Sequence, residues 1–335
     1  MNKIRNYKLD NTKGLLIFLV VLGHMADFYV NISDDMKFIY FAGSIFGMPL
    51  FIFISGLFIK STINNKRFKI ERVFSYLILY FLLKTMIFLL MKYGFSQDIT
   101  FNTFNEPFVP WYMFAMAIWI ILTYLLKNIK KKYLLPFSFL FGLIIGYDSY
   151  ASDYFVISRI IVFFPFFLLG YYLSEINLMK VISKRSIQLF SIVFILALTS
   201  YIFVNIQDVY QFRGFLTGRN PYEALKQPVF GSIYRAFFYC LTIATSLAVM
   251  AIMPNKKFFL TTVGNRSLQI YFLHIFFILI LQHFNIEDNL KLFSSAHWLK
   301  IYASFSIPLT LLLAVKPLEW PFKQIMNLKF TSLFK

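Results

Sequence analysis

Ten apolar stretches recur along this chain, at roughly 14–31, 38–59, 73–91, 109–126, 133–147, 155–173, 187–205, 229–252, 267–283 and 298–315, most of them in the length range that crosses a bilayer as a helix. A water-soluble protein has no surface under which to hide so many. Of the 335 residues, 59% belong to the AVILMFWYC set and only 14% are charged. Soluble domains average about 45–50% and about 25%. The composition excludes an ordinary cytosolic enzyme, a disordered chain and a disulfide-stapled secreted module. It implies an all-α, polytopic integral membrane protein of about ten transmembrane helices.

Loop charges give the orientation. With the N-terminus inside, the segments 1–13, 60–72, 127–132, 174–186, 253–266 and 316–335 carry 23 Lys and Arg, whereas the loops on the other side carry 6. Such a bias marks the cytoplasmic face. Both termini are therefore expected in the cytoplasm, and the plasma membrane is the expected location. The net charge of +18 would suggest nucleic acid in a soluble protein. Here the cytoplasmic loops account for it, and no nucleic-acid partner is expected. The basic leader before the first apolar stretch looks like a signal peptide, but His24 and Asp27 stand where a small-residue cleavage site belongs. It reads as a retained first span. With no repeat or low-complexity linker, 1–335 reads as one domain with a core of about 8–316. The longest outer loop, 206–228, is expected to form a small extracytoplasmic cap. Cys240 is the sole cysteine, so no intrachain disulfide can form.

Charge inside hydrocarbon costs at least about 2.5–3.5 kcal/mol per residue, so each case needs a reason. His24 and Asp27 lie in the first span, Lys84 in the third, Arg159 in the sixth, Arg235 in the eighth and His274 in the ninth. Lys13 and His24 are eleven residues apart, which puts them on one helix face about 16 Å apart along the axis. Asp27, one turn beyond His24, is placed to orient its imidazole. Tyr271 and His274 share a face of the ninth span, and Ser267 is placed to cap its start. Each residue also has an ordinary structural reading: Lys13 as an interfacial anchor, His24 as a helix–helix hydrogen bond, the Ser/Tyr/His stripe as packing. Lys84, Arg159 and Arg235 can line a cavity, pair with Asp27 or reach for the interface. A neutral imidazole at mid-membrane suits proton transfer from a hydroxyl. Glycines 56, 142, 146 and 170 read as close helix contacts. No GxSxG, HExxH, Walker loop, GxGxxG or Cys/His cluster occurs, so neither a metal nor a bound cofactor is expected.

Five motifs resemble those of the acyltransferase-3 family, especially its fucose 4-O-acetylase-like branch. Leu9-Asp10-Asn11-Thr12-Lys13-Gly14 followed by His24 is similar to the opening motif, a basic residue, ten others, then His. Met48-Pro49 through Ser55-Gly56 resembles the second-helix Ser-Gly motif, and Pro110-Trp111-Tyr112-Met113 the aromatic motif of the fourth span. Arg159 with Phe163 through Gly170 resembles another, and Gly264-Asn265-Arg266-Ser267 through Tyr271 and His274 the last. Many members carry Arg where this chain has Lys13, which supplies the charge without the bidentate fork.

The resemblance implies acyl transfer, usually of acetyl, from cytoplasmic acetyl-CoA as co-substrate to a hydroxyl of a carbohydrate acceptor. It implies a donor-binding set of Lys13, Asp10, Arg159 and Ser267, in which Lys13 attracts the donor phosphates. It also implies that His24 is general base or acyl relay, with Asp27, Tyr271 and His274 completing the catalytic set. Ser55, Gly56 and Trp111 are implied as structural. The shallower His274 would then meet the donor first, with His24 facing the acceptor. Two other classes fit the same hydropathy: an exporter or flippase of polysaccharide or lipid-linked sugar, and a non-catalytic partner of a synthase. An exporter usually shows repeat symmetry, which this sequence lacks.

Overall fold

In the computed structural model, residues 7–63, 68–106, 108–173 and 175–329 are described. Among them the secondary structure is helical apart from two isolated β-bridges, Ile63–Phe68 and Asn105–Tyr154. The helices are α1 (Tyr7–Asp27), α2 (Asp34–Phe58), α3 (Ile70–Leu89), α4 (Trp111–Leu125), α5 (Lys131–Ile144) and α6 (Ile157–Tyr172). Then come α7 (Glu175–Ile182), α8 (Arg185–Val204), α9 (Ile206–Tyr210), α10 (Arg213–Leu216), α11 (Gly231–Ile252) and α12 (Phe259–Asn265). The chain continues through α13 (Ser267–His283), α14 (Ile286–Phe293), α15 (Trp298–Ser304), α16 (Ser306–Leu313) and α17 (Trp320–Met326).

Each of the ten apolar stretches is helical. Five helices are long and apolar enough to cross a membrane: α1, α2, α3 with its extension to Gly94, α8 and α11. Two bent segments raise the number to seven: α12 with α13, bent by 83°, and α15–α16 with 316–326, bent by 73°. α4 and α6 are apolar but shorter, at 15 and 16 residues, and α5 has 14. The ninth stretch is the single helix α13, with the bounds expected; the segment before it, read as a loop, holds the short helix α12, and the backbone turns sharply at Arg266. The tenth stretch breaks at Phe305. Pro308 has no N–H for the Ser304 carbonyl and its ring crowds that carbonyl, which separates α15 from α16. Helices α2, α5 and α6 run through Pro49, Pro136 and Pro165. The expected outer cap at 206–228 holds the short helices α9 and α10.

By internal packing the chain forms two units. The first comprises Met1–Phe51, Ile176–Arg213 and Leu241–Glu319, and the second Ile52–Glu175, Gly214–Cys240 and Trp320–Lys335. In the first, α12 lies against α1 with almost no side chain between them. A Cβ on Gly264 would run into the Asp10 carbonyl, and one on Gly14 into the Leu260 carbonyl. In the second, Gly56 faces the Phe167 carbonyl while Gly170 faces the Phe53 carbonyl, a reciprocal seam of α2 against α6. Gly142 and Gly146 accommodate the Tyr239 hydroxyl and the Tyr222 ring. The glycines expected at close contacts are found there.

Candidate active site

The site-bearing part of the first unit is built from the start of α1. Lys8, though a lysine, is 2% exposed. Its ammonium donates to the carbonyls of Met250 (3.2 Å) and Ala251 (2.7 Å) in the last turn of α11, satisfying acceptors a helix end leaves open. Asn11, fully buried, donates to Pro254 O (2.8 Å) and Lys256 O (3.0 Å) and accepts from the Thr261 hydroxyl (2.6 Å). The segment that resembles the opening motif is thereby tied to α12 on one side, and on the other carries Lys13. Lys13 forms an ion pair with Asp10 at 2.9 Å, one turn back along the helix, and keeps 19% of its side chain exposed.

The α12–α13 bend is fastened in a similar way. Arg266 Nη1 donates to Ala314 O (2.5 Å), and its guanidinium lies 3.7 Å from Glu319. Gln269 donates to Leu313 O (2.6 Å) and Val315 O (2.9 Å), again open carbonyls of a helix end. Ser267 does not cap α13 as expected. Arg266 occupies the cap position, without a side-chain hydrogen bond there, and Ser267 is already inside the first turn.

These two fastened segments bring His24 and His274 together, their ring centroids 5.3 Å apart and their planes tilted by 38°. His274 is fully buried. Its Nδ1 lies 3.1 Å from Ile270 O and 2.8 Å from Tyr271 O. Carbonyls only accept, so Nδ1 carries a proton, and in the neutral form of the ring Nε2 is then the lone pair. Nε2 is buried and has no hydrogen-bond partner among the described residues. Tyr271 is buried with its ring 5.9 Å from His274. The two histidines thus form one ring contact.

Asp27 is exposed at the end of α1, where its charge acts on Tyr210 of α9. Arg213 lies 4.6 Å over the Tyr210 ring and Lys37 6.0 Å from it. Burial raises the Tyr210 phenol above its usual value.

The second unit holds the remaining candidates. Ser55 and Tyr112 share a hydrogen bond of 2.8 Å, which joins the Ser-Gly motif to the aromatic motif. Arg159, 4% exposed, is committed to Asp153 (3.2 Å) and lies 5.1 Å over the Trp111 ring. Asp153 also pairs with Arg219. Lys84 pairs with Glu106 at 3.1 Å, not with Asp27. Burial lifts the Glu106 carboxyl above its ordinary value, against the opposing pull of Lys84, the Phe108 N–H and Arg159. Arg235, 1% exposed, donates to Gly142 O (3.1 Å) and Asn220 O (3.2 Å) with Tyr222 under its guanidinium at 4.5 Å. It is a strut between α5, α11 and the 218–223 segment. Sequence reasoning missed Lys8 and Asn11 as ties. Their signal was there, since both are polar residues in the first turns of α1, just before its apolar stretch.

No group of His, Cys, Asp and Glu among the described residues could hold a metal ion. Five apolar helices, or seven with the bent pairs, long enough to cross a bilayer define a multi-pass membrane protein. The particular family follows from the sequence of the whole chain. It belongs to the acyltransferase-3 family, whose model, an acyltransferase domain, matches residues 6–315. No curated protein and no solved structure matches it. Membership makes the chain an acyltransferase that takes an acyl donor and an acceptor, and its apolar helices place it in a bilayer.

Proposed function

We propose that the protein is an O-acyltransferase of the plasma membrane. It moves an acetyl group from cytoplasmic acetyl-CoA to a sugar hydroxyl of a cell-envelope or exported polysaccharide, in a ten-span fold with both termini cytoplasmic. The observation that carries the reading is the contact of His24 with His274, one of whose nitrogens is fixed as a donor by two carbonyls while the other is left as a base.

In this mechanism His24 takes the proton of the acceptor hydroxyl as its oxygen attacks the thioester carbon. The C–O bond forms, the C–S bond breaks, and the proton passes to the departing CoA thiolate. His274 stands beside His24 as a neutral imidazole. Two imidazolium rings at 5.3 Å would repel by about 3 kcal/mol at an effective dielectric of about 20, which favours no more than one positive charge on the pair. Lys13 draws the CoA phosphates to the mouth of α1, and Asp10 holds its ammonium in place. Tyr271, buried beside His274, is available to the developing oxyanion.

The deciding experiment gives purified protein labelled acetyl-CoA with a de-acetylated envelope glycan and follows the label by mass spectrometry. Transfer that needs His24 supports the proposal. Absence of any acyl-CoA turnover, together with translocation of a lipid-linked sugar by vesicles carrying the protein, would establish the exporter instead.

A further inference from the structure

The second unit contains a groove of about 380 Å³ with no assigned use, between the end of α4, α5 and α6. Its walls are almost entirely hydrocarbon and aromatic: Leu126, Ile129, Phe137, Phe141, Ile160 and Phe164 are among them. Ser138, one of its few polar lining residues, has its hydroxyl committed to Leu135 O at 2.7 Å. Phe137 and Phe141 are 54% and 60% exposed, so the groove opens outward from the helices. Its volume lies within the ~300–1,000 Å³ typical of small-ligand sites.

What surrounds one end of the groove says what fills it. Lining positions 126, 129, 133 and 134 interleave with Lys127, Lys130, Lys131 and Lys132. Lys130 is the cap residue of α5 and contributes no side-chain cap, while Lys131 and Lys132 occupy its first turn, which holds no acidic residue. A helix start carries partial positive charge and unpaired N–H groups, so carboxylates belong there and ammonium groups do not. Three lysines at that end share the orienting role of the other basic loops, and together with the open N–H groups they also make a place where an anionic phosphate is favoured. Lys132 also lies 4.9 Å over the ring of Tyr133, which lines the groove, so cation and apolar wall meet at one residue.

We propose that this groove binds an anionic phospholipid, with acyl chain along Ile129, Phe137, Phe141 and Phe164 and phosphate at the start of α5 among Lys130, Lys131 and Lys132. The site rests on the membrane reading of the chain, not on its acyl-transfer chemistry, so its test and the transfer assay fail independently.

The test reconstitutes the full chain in nanodiscs of phosphatidylcholine with a minor fraction of phosphatidylglycerol and counts retained lipids by native mass spectrometry after transfer to detergent. Wild type should retain phosphatidylglycerol well above its bulk share. Replacing Lys130, Lys131 and Lys132 together with Gln should lower that retention, on the order of fivefold per charge removed, and leave phosphatidylcholine unchanged. Phe137→Trp, which narrows the groove without touching a charge, should also lower phosphatidylglycerol retention. If the two lipids are retained in their bulk ratio, there is no site. If only the lysine variant responds, the lysines act as a diffuse surface charge and the groove is not the binding site. If glycerol phosphate competes as well as the lipid, headgroup charge alone is recognised and the proposal also falls. A second copy of the chain filling the groove would appear as a dimer lost in Phe137→Trp, with the same consequence.

Discussion

Gly264 of α12 faces the backbone carbonyl of Asp10 in α1 so closely that no side chain fits between them, and Gly14 faces Leu260 in the reverse sense. Gly264→Ala should therefore force the two backbones apart, at a cost of about 3 kcal/mol, the upper end for overpacking. Thermal unfolding in detergent would measure it. Gly23, in the same α1 and next to His24, has nothing within 4 Å of where a Cβ would stand. Gly23→Ala should be neutral or up to about 1 kcal/mol stabilising, as expected for a helix interior. Equal losses in both variants would remove the seam from the account.

His24→Ala should lower kcat by about 10²–10⁴-fold, the usual contribution of a general base, with unchanged insertion and yield. His274→Ala should reduce it as well, because a lone pair is removed beside His24. Glycan acetylation at wild-type levels in the His24 variant would take that residue out of the mechanism.

Lys13→Ala should raise the KM for acetyl-CoA with little change in kcat, since it removes a contact made before chemistry. Asp10→Asn should move KM the same way by a smaller factor, because it frees the ammonium it pairs with at 2.9 Å. Lys13→Arg should retain or improve donor affinity. A pure kcat effect in Lys13→Ala would place the residue in the chemical step.

Lys84→Ala leaves Glu106 buried without its nearest cation, and breaking such a pair costs about 3–5 kcal/mol. The folded carboxyl already sits above its ordinary value of 4.5. In the pH window between those two values the folded state holds the proton that the unfolded state has lost. Stability therefore falls as pH rises through the window and returns on acidification. The Lys84→Ala deficit should shrink as pH drops from 7 towards 5. A melting temperature difference from wild type that is flat over that range would show that the pair is not the cause.

In a Cys240→Ser background, cysteines at Asp98, Tyr150 and Glu223 should react with an impermeant reagent from outside the cell. Cysteines at Lys69, Lys131 and Lys256 should react only after lysis. One firm inversion breaks the ten-span arrangement.

The apolar stretches were legible because each is helical over nearly the range its hydropathy marks, and hydropathy is local. The contact of His24 with His274 was not. The spacing from Lys13 fixes a face of α1, yet nothing in 250 residues of separation says which helix that face meets. The bend at Arg266 hid for a related reason. Its hydrogen bonds go to Ala314 and its ion pair to Glu319, groups far along the chain. Lys84 was open to several partners by sequence, and loop folding selected Glu106. Pro308 marks the break at Phe305, but proline alone does not single it out, since Pro49, Pro136 and Pro165 lie inside unbroken helices.

The Gly14–Leu260 and Gly264–Asp10 contacts are made by backbone atoms, which have no rotamers to exchange. A turn of α1 about its own axis by one residue, 100°, would swing His24 away from His274. Side-chain packing could drift by such amounts through small repackings; these contacts cannot. The aim of the histidine is thus set at positions ten residues and more from it that carry no side chain at all, and the angle between the two rings is kept by the absence of two methyl groups.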